Sequence, residues 1–156
     1  MMSNKYWWGI GSLAICLLLF FLFRPIQVLV VESENERLLL KPNEFTIGWI
    51  HSVEKEPWFE SYKVIEKQFH LYETYFKTYG AGVPSDGEII PSDDGFVHLK
   101  MDLYFPEILI AASAAVDTTL YIENKSFPLY GEERQSVRFS IENVSFIQII
   151  LEGGYK

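Results

Sequence analysis

Residues 45–84 decide the fold, and they read FTIGWIHSVEKEPWFESYKVIEKQFHLYETYFKTYGAGVP. Apolar and polar residues alternate in three successive segments, and only short polar turns separate one segment from the next. Alternation with a period of two is typical of strands that bury one face. The stretch therefore predicts three consecutive antiparallel strands that end at the loop Gly80-Ala81-Gly82.

The alternation also predicts which residues face each other in the first two strands. A four-residue loop over residues 54–57 would place His51 opposite Glu60 and Trp49 opposite Tyr62. A slip of the register by one residue would turn polar side chains towards the apolar face, which is costly. We therefore expect this register for the first pair of strands.

The same reasoning extends to the third strand. A second turn around residues 66–69 would place Glu73 opposite Tyr62, and Tyr75 opposite Glu60. One face of the sheet would then begin apolar and end polar, next to the glycine loop. On it, His51 would meet two carboxylates and two tyrosine hydroxyl groups.

This polar cluster has two interpretations. It is either a pocket that holds a small ligand or a segment of a partner, or a buried hydrogen-bond network that fixes the strand register. Both agree with the rule that buried carboxylates must be paired or neutralised. The glycine loop is equally open, because bare N–H groups can bind anions and a tight exit from a strand also needs glycine.

The sequence offers little support for catalysis, cofactors or metals. His51 and Ser52 are adjacent, so on a strand they point to opposite faces and cannot act as base and nucleophile. No helix is expected after the glycine loop, which excludes a phosphate-binding loop. The acidic segment 86–94, with Asp86, Glu88, Asp93 and Asp94, lacks the spacing of an EF-hand and is interpreted as a solvated loop rather than a calcium site. We predict no enzyme activity, no catalytic residue, no cofactor and no metal site.

Composition narrows the class of protein further. The 156 residues carry a formal net charge of −8 and no cluster of basic residues, which argues against nucleic acid as a partner. Aromatic residues make up 16%, many of them at alternating positions, which favours half-buried strands. The one cysteine, Cys16, excludes an internal disulfide and a cysteine-based zinc site.

The amino terminus resembles a membrane anchor. Residues 6–23 are apolar and, as a helix, would span roughly 27 Å, close to the thickness of a bilayer core. A cleaved signal, a lipoprotein signal at Cys16 and an uncleaved single-pass anchor all compete as interpretations. We favour the anchor, because small residues are missing at the exit and Ile15 is bulky for a lipoprotein site. It implies a cell-membrane protein with its carboxy-terminal domain outside the cytoplasm.

Short alternating segments separated by turns continue to the end of the chain. We predict an anchor over residues 1–25 and an all-β domain over residues 26–156, built as an antiparallel sandwich or partly open barrel of about 8–10 strands. Residues 108–115 suit either a short helix or a strand. Residues 136–141 and 145–151 are expected to close the chain as a pair of strands around Glu142-Asn143.

The segments His51-Ser52-Val53-Glu54, Pro57-Trp58 and Gly80-Ala81-Gly82-Val83-Pro84 together resemble the bacterial proteins of domain-of-unknown-function family 1850. The resemblance is strongest over residues 45–84. Members of that family are often encoded beside TRAP transporters of the TAXI type. The resemblance therefore implies an accessory protein that assists such a transporter through protein–protein contact.

The alternative function is a small-ligand-binding β module that uses the His51/Glu60 face and the glycine loop. The residues we expect to bind a ligand or a partner are His51, Ser52, Trp58, Glu60, Tyr62, Glu73, Tyr75, Gly80, Ala81 and Gly82.

Overall fold

The structure is a computed structural model that describes residues 4–80, 82–84 and 87–155. Ala81, in the predicted binding loop, and Asp86, in the acidic segment, lie outside the described residues. The elements in chain order are α1 (Asn4–Phe23), β1 (Pro25–Glu32), β2 (Arg37–Leu40), β3 (Glu44–Ile50), β4 (Pro57–Ile65), β5 (Gln68–Phe76), β6 (Glu88–Ile90), β7 (Val97–Phe105), β8 (Ile108–Ala112), a 3-10 turn (Ala114–Val116), β9 (Thr119–Ile122), β10 (Lys125–Pro128), β11 (Gln135–Ser145) and α2 (Phe146–Leu151).

The strands form two antiparallel sheets. Four strands are ordered β2-β1-β11-β8, and seven are ordered β10-β9-β3-β4-β5-β7-β6. The predicted all-β antiparallel sandwich is confirmed, whereas the sheets do not close into a barrel. The ambiguous segment 108–115 is a strand, β8, followed by the 3-10 turn.

The main core lies between the two sheets. Phe45 on β3 stacks on Phe139 on β11 with ring centroids 5.7 Å apart, and Phe69 on β5 meets Phe45 edge to face at the same separation. All three side chains are at most 3% exposed. Burying one such side chain stabilises the fold by roughly 1.5–3 kcal/mol, so these contacts hold the sheets together.

A second, smaller apolar cluster covers the other face of the four-stranded sheet. Ile149 of α2 packs against Val28 and Val30 of β1, together with Leu39 and Val144. Helix α2 begins with a capping box in which the Ser145 hydroxyl accepts from the Gln148 N–H. This reciprocal cap and the buried Ile149 explain why the segment is helical.

The expected strand pair around Glu142-Asn143 is wrong. Strand β11 continues without a turn to Ser145, because its residues pair with β1 from Arg138 opposite Glu32 to Ser145 opposite Pro25. Residues 146–151 then form α2 rather than a strand. A ladder that continues to a distant strand outweighs a local turn signal.

The prediction of a transmembrane anchor is corrected by the structure. Residues 4–23 do form a helix, α1, but no helix in the described part of the chain is both long and apolar enough to cross a bilayer. This finding overturns the expected single-pass anchor over residues 6–23 and the cell-membrane location that was inferred from it.

The register between β3 and β4 differs from the expected one. Trp49 pairs with Trp58, and Ile47 pairs with Glu60. Glu60 is therefore opposite Ile47 and not opposite His51. The difference arises because β4 begins at Pro57, which leaves residues 51–56 as the loop. The displacement is an even number of residues, so the predicted shared face is retained.

Candidate functional site

A cavity near the predicted site opens beside the paired tryptophans of β3 and β4. It has a volume of ≈ 530 Å³ and receives side chains from both sheets. Ligand pockets in proteins usually enclose about 300–1,000 Å³, so a small molecule would fit. The lining residues are Trp49, His51, Ser52, Trp58, Glu60, Gly82, Ala111, Ser113, Val116 and Arg134.

Trp58 forms the fixed wall of this cavity. Its ring stacks on Trp49 with centroids 5.8 Å apart and packs against Phe76 at 4.9 Å. The indole Nε1–H donates to Thr74 Oγ1 at 2.9 Å, and the Thr74 hydroxyl donates to the Phe59 carbonyl at 3.0 Å. Since Thr74 is completely buried, this chain of hydrogen bonds holds the indole in one orientation.

Glu60 supplies the acid of the cavity. The Tyr62 hydroxyl donates to Glu60 Oε2 at 2.6 Å from a side chain that is only 3% exposed. Burial raises the pKa of the Glu60 carboxyl above its usual value, although the hydrogen bond from Tyr62 acts in the opposite direction. Burial and the adjacent Glu60 also raise the pKa of Tyr62. Tyr62 therefore positions Glu60 from the core and does not line the cavity.

His51 lies at the end of β3, where the chain turns away from the sheet. Its backbone N–H donates to the Glu56 carbonyl at 2.8 Å, which closes the loop to β4. The imidazole ring stacks on Trp58 with centroids 5.7 Å apart. The Glu54 carboxylate lies against Nδ1 of this ring. His51 thus reaches the cavity with one acidic partner already in place.

The glycine loop packs against this turn. A Cβ atom at Gly80 would collide with the Glu54 carboxyl group, so a larger residue there would require the Glu54 side chain to move. Gly80 lines a small crevice beside the main cavity, together with His51 and Glu54. Gly82 lines the main cavity and has a φ of +83°, a conformation that favours glycine.

Glu73 and Tyr75 do not join the site, and the prediction that they share a face with Glu60 is wrong. The pairing of β4 with β5 shifts between Ser61 and Tyr62, and an additional β5 residue is accommodated there. Thr74 rather than Tyr75 is therefore opposite Glu60. A bulge of this kind reverses the faces of all residues beyond it.

On the opposite face Glu73 forms part of a second polar cluster. Its Oε1 atom is 2.6 Å from His98 Nδ1, and Asp94 Oδ2 is 3.0 Å from Nε2 of the same ring. Tyr75 stacks on His98 at 4.9 Å. Burial lowers the pKa of His98, but the hydrogen bonds to Glu73 and Asp94 outweigh it, so the pKa is raised overall.

The acidic segment is tied to neighbouring strands. Asp94 accepts from Ser92 and from the Phe96 N–H, and these bonds, with smaller contributions from His98, lower its pKa to about 2. Glu88 lies 3.6 Å from Lys100 Nζ on β7. Within residues 4–80, 82–84 and 87–155, no group of three or more histidine, cysteine or acidic side chains is suited to hold a metal ion.

Five predicted residues therefore meet at the cavity: His51, Ser52, Trp58, Glu60 and Gly82. Sequence reasoning missed the other half of the lining, which includes Ala111, Ser113 and Arg134. Trp49 could have been found, because the alternation places it on the same face as Ile47. The remaining residues carry no local signal, since only the packing of the two sheets brings them to the site.

Fold and site together define a two-sheet antiparallel β-sandwich with a lined cavity beside its paired tryptophans. The family model described as Domain of unknown function (DUF1850) matches residues 45–129, more than half of the chain. The protein belongs to this family, as the resemblance implied. No curated protein and no solved structure matches the chain. The matched region includes every cavity residue except Arg134.

Proposed function

We propose that this protein is a small-ligand-binding module and that the cavity beside Trp58 is its binding site. The observation that carries the proposal is the composition of the lining. Two stacked indole rings, an acid, a guanidinium group and two serine hydroxyl groups converge on ≈ 530 Å³ of space. A few polar groups within a partly apolar cavity are typical of sites that bind small organic molecules.

The rigidity of the wall supports the same function. Trp58 is held by Thr74, and Glu60 is held by Tyr62. A site whose side chains are already oriented loses less entropy when a ligand binds, which raises the affinity that the same contacts provide. The hydrogen bonds behind the cavity therefore fit a binding role as well as a structural one.

The test is a screen of small organic molecules by thermal unfolding of the full chain. A ligand present at about 100 times its Kd should stabilise the folded state by roughly 2.7 kcal/mol. An Ala111→Phe variant, which adds a bulky ring to a residue that lines the cavity, should lose this stabilisation. The matched control is Leu109→Phe on the same strand, because Leu109 is 66% exposed and does not line the cavity.

Two results would contradict the proposal. One is a screen in which no compound raises the unfolding temperature. The other is a compound that stabilises the Ala111→Phe variant as much as the unaltered protein, because that ligand must bind elsewhere.

An accessory role beside a TAXI-type TRAP transporter stays a prediction that the family resemblance motivates. A ligand-binding module would suit a solute uptake system. Purified protein should then retain the solute-binding subunit of such a transporter on an affinity column. Failure to retain it, with the cavity still binding ligand, would contradict the accessory role alone.

A further inference from the structure

The cavity contains two opposite charges that no other described residue neutralises through an ion pair. Neither Glu60 nor Arg134 takes part in an ion pair with any other described residue. His51, by contrast, already has the Glu54 carboxylate against its ring. Glu60 and Arg134 are therefore the cavity groups that remain available for charges on a ligand.

The surroundings of Glu60 suit an ammonium group. The carboxyl group is half-buried, and its pKa is raised by that burial, with no cation among the causes of the shift. A ligand cation would offset this unfavourable burial of charge. Trp49 lines the same cavity and is only partly buried, and an indole ring attracts cations through its π face.

The surroundings of Arg134 suit a carboxylate. Arg134 is exposed and lines the cavity just ahead of β11, while Ser52 and Ser113 contribute hydroxyl groups to the same lining. A guanidinium group has a fork of N–H donors that matches the two oxygens of a carboxylate. Hydroxyl groups can donate further hydrogen bonds to the same anion.

We infer that the ligand is a small zwitterion of the amino-acid type, with its ammonium group at Glu60 and Trp49 and its carboxylate at Arg134. The inference rests on the proposed function, since it names the ligand class of that same cavity. A ligand with only one of the two charges would leave either the acid or the guanidinium group unpaired. The zwitterion alone satisfies both.

Four compounds that share a phenylethyl body separate the contributions: L-phenylalanine, 2-phenylethylamine, 3-phenylpropionate and 2-phenylethanol. Their affinities for the full chain are measured at pH 7 by isothermal titration calorimetry. We expect L-phenylalanine to bind roughly ten- to hundred-fold more tightly than either singly charged compound, because each charged hydrogen bond contributes a factor of that order.

Two variants assign the charges. Glu60→Gln should weaken L-phenylalanine and 2-phenylethylamine by roughly ten-fold or more and leave 3-phenylpropionate unchanged. Arg134→Gln should weaken L-phenylalanine and 3-phenylpropionate to a similar degree and leave the amine unchanged. The matched control is Arg138→Gln, because Arg138 pairs with Glu32 and does not line the cavity.

The outcomes keep the two proposals apart. Suppose that 2-phenylethanol or a singly charged compound binds as tightly as L-phenylalanine, and that Ala111→Phe removes this binding. The assignment of a zwitterionic ligand is then wrong, whereas the proposed ligand-binding function is supported. Equal weakening of all four compounds by Glu60→Gln would also overturn the inference. If no compound in either experiment binds, both the inference and the proposed function are wrong.

Discussion

Replacing Thr74 with valine tests the hydrogen-bond chain that orients Trp58. Thr74 is completely buried and Trp58 is 6% exposed, so water does not replace a lost partner easily. Valine keeps the shape of threonine and removes the hydroxyl group that accepts from Trp58 Nε1–H at 2.9 Å. The indole N–H would then be buried without an acceptor.

The expected loss follows from that orphaned donor. A buried donor without a partner costs about 1–3 kcal/mol, so the free energy of unfolding should fall by roughly 2 kcal/mol. With a urea dependence near 2 kcal/mol per molar, the unfolding midpoint should fall by about 1 M. Urea unfolding followed by circular dichroism measures this shift directly.

Two further variants isolate the hydrogen bond from packing. Thr74→Ser keeps the hydroxyl group and removes one methyl group, which should cost only about 0.8 kcal/mol. Adding Trp58→Phe to Thr74→Val removes both partners, so the two losses should be less than additive by about 0.5–3 kcal/mol. The reasoning is refuted if Thr74→Val is as stable as the unaltered protein, or more stable than Thr74→Ser.

Three other changes have outcomes that the structure determines. Glu60→Gln should raise the free energy of unfolding near neutral pH. Because the pKa of Glu60 is raised in the folded state, folding favours the protonated acid, and the wild type loses this stabilisation as the pH rises from about 4.5 through the folded-state pKa. Urea unfolding at several pH values should therefore give a flatter curve of stability against pH for the variant. His98→Gln should remove stability that is fully present below about pH 6.5 and is lost as the pH rises through the raised pKa of His98, which NMR titration of the ring can follow. Gly48→Ala should lower the free energy of unfolding by about 1–3 kcal/mol, because a Cβ atom would lie 2.6 Å from the Phe59 ring, and thermal unfolding measures the loss.

Each of these predictions has its own contrary result. An unchanged pH curve for Glu60→Gln would show that the acid is already ionised without penalty. A His98→Gln variant whose deficit grows above pH 8 would reverse the sign expected of a raised pKa. Adding Phe59→Ala should recover part of the loss of Gly48→Ala, and a purely additive pair would place the strain elsewhere.

The sequence predicts the fold class correctly because the alternation of apolar and polar residues indicates strands even where the predicted pairing is wrong. The β3–β4 register was wrong, yet Trp49, Trp58 and Glu60 still share a face because the displacement is even. The predicted pairing of the third strand, β5, is wrong for the opposite reason. A bulge between Ser61 and Tyr62 has no marker in the local sequence, and it moved Glu73 to the other face.

The candidate site was half predictable for a similar physical reason. His51 directly follows β3 and Glu60 lies on the neighbouring strand β4, so local spacing brings both residues to the same cavity. Arg134 reaches the same cavity only because β11 belongs to the facing sheet, more than seventy positions further along the chain. Contacts between sheets depend on how complete layers pack, and a single sequence carries no short-range record of that packing.

The division of strands between the two sheets limits which fragments of such a protein can be expressed in folded form. The matched segment 45–129 contains six strands of the seven-stranded sheet from their first residue to their last, and β3 except for Glu44, but only β8 from the other sheet. A fragment cut at those limits would lose the buried residues that β1, β2 and β11 add to the main core, including Phe139, whose ring stacks on Phe45. Such a fragment would aggregate rather than fold, so the smallest useful unit for expression must include the flanking strands at both ends.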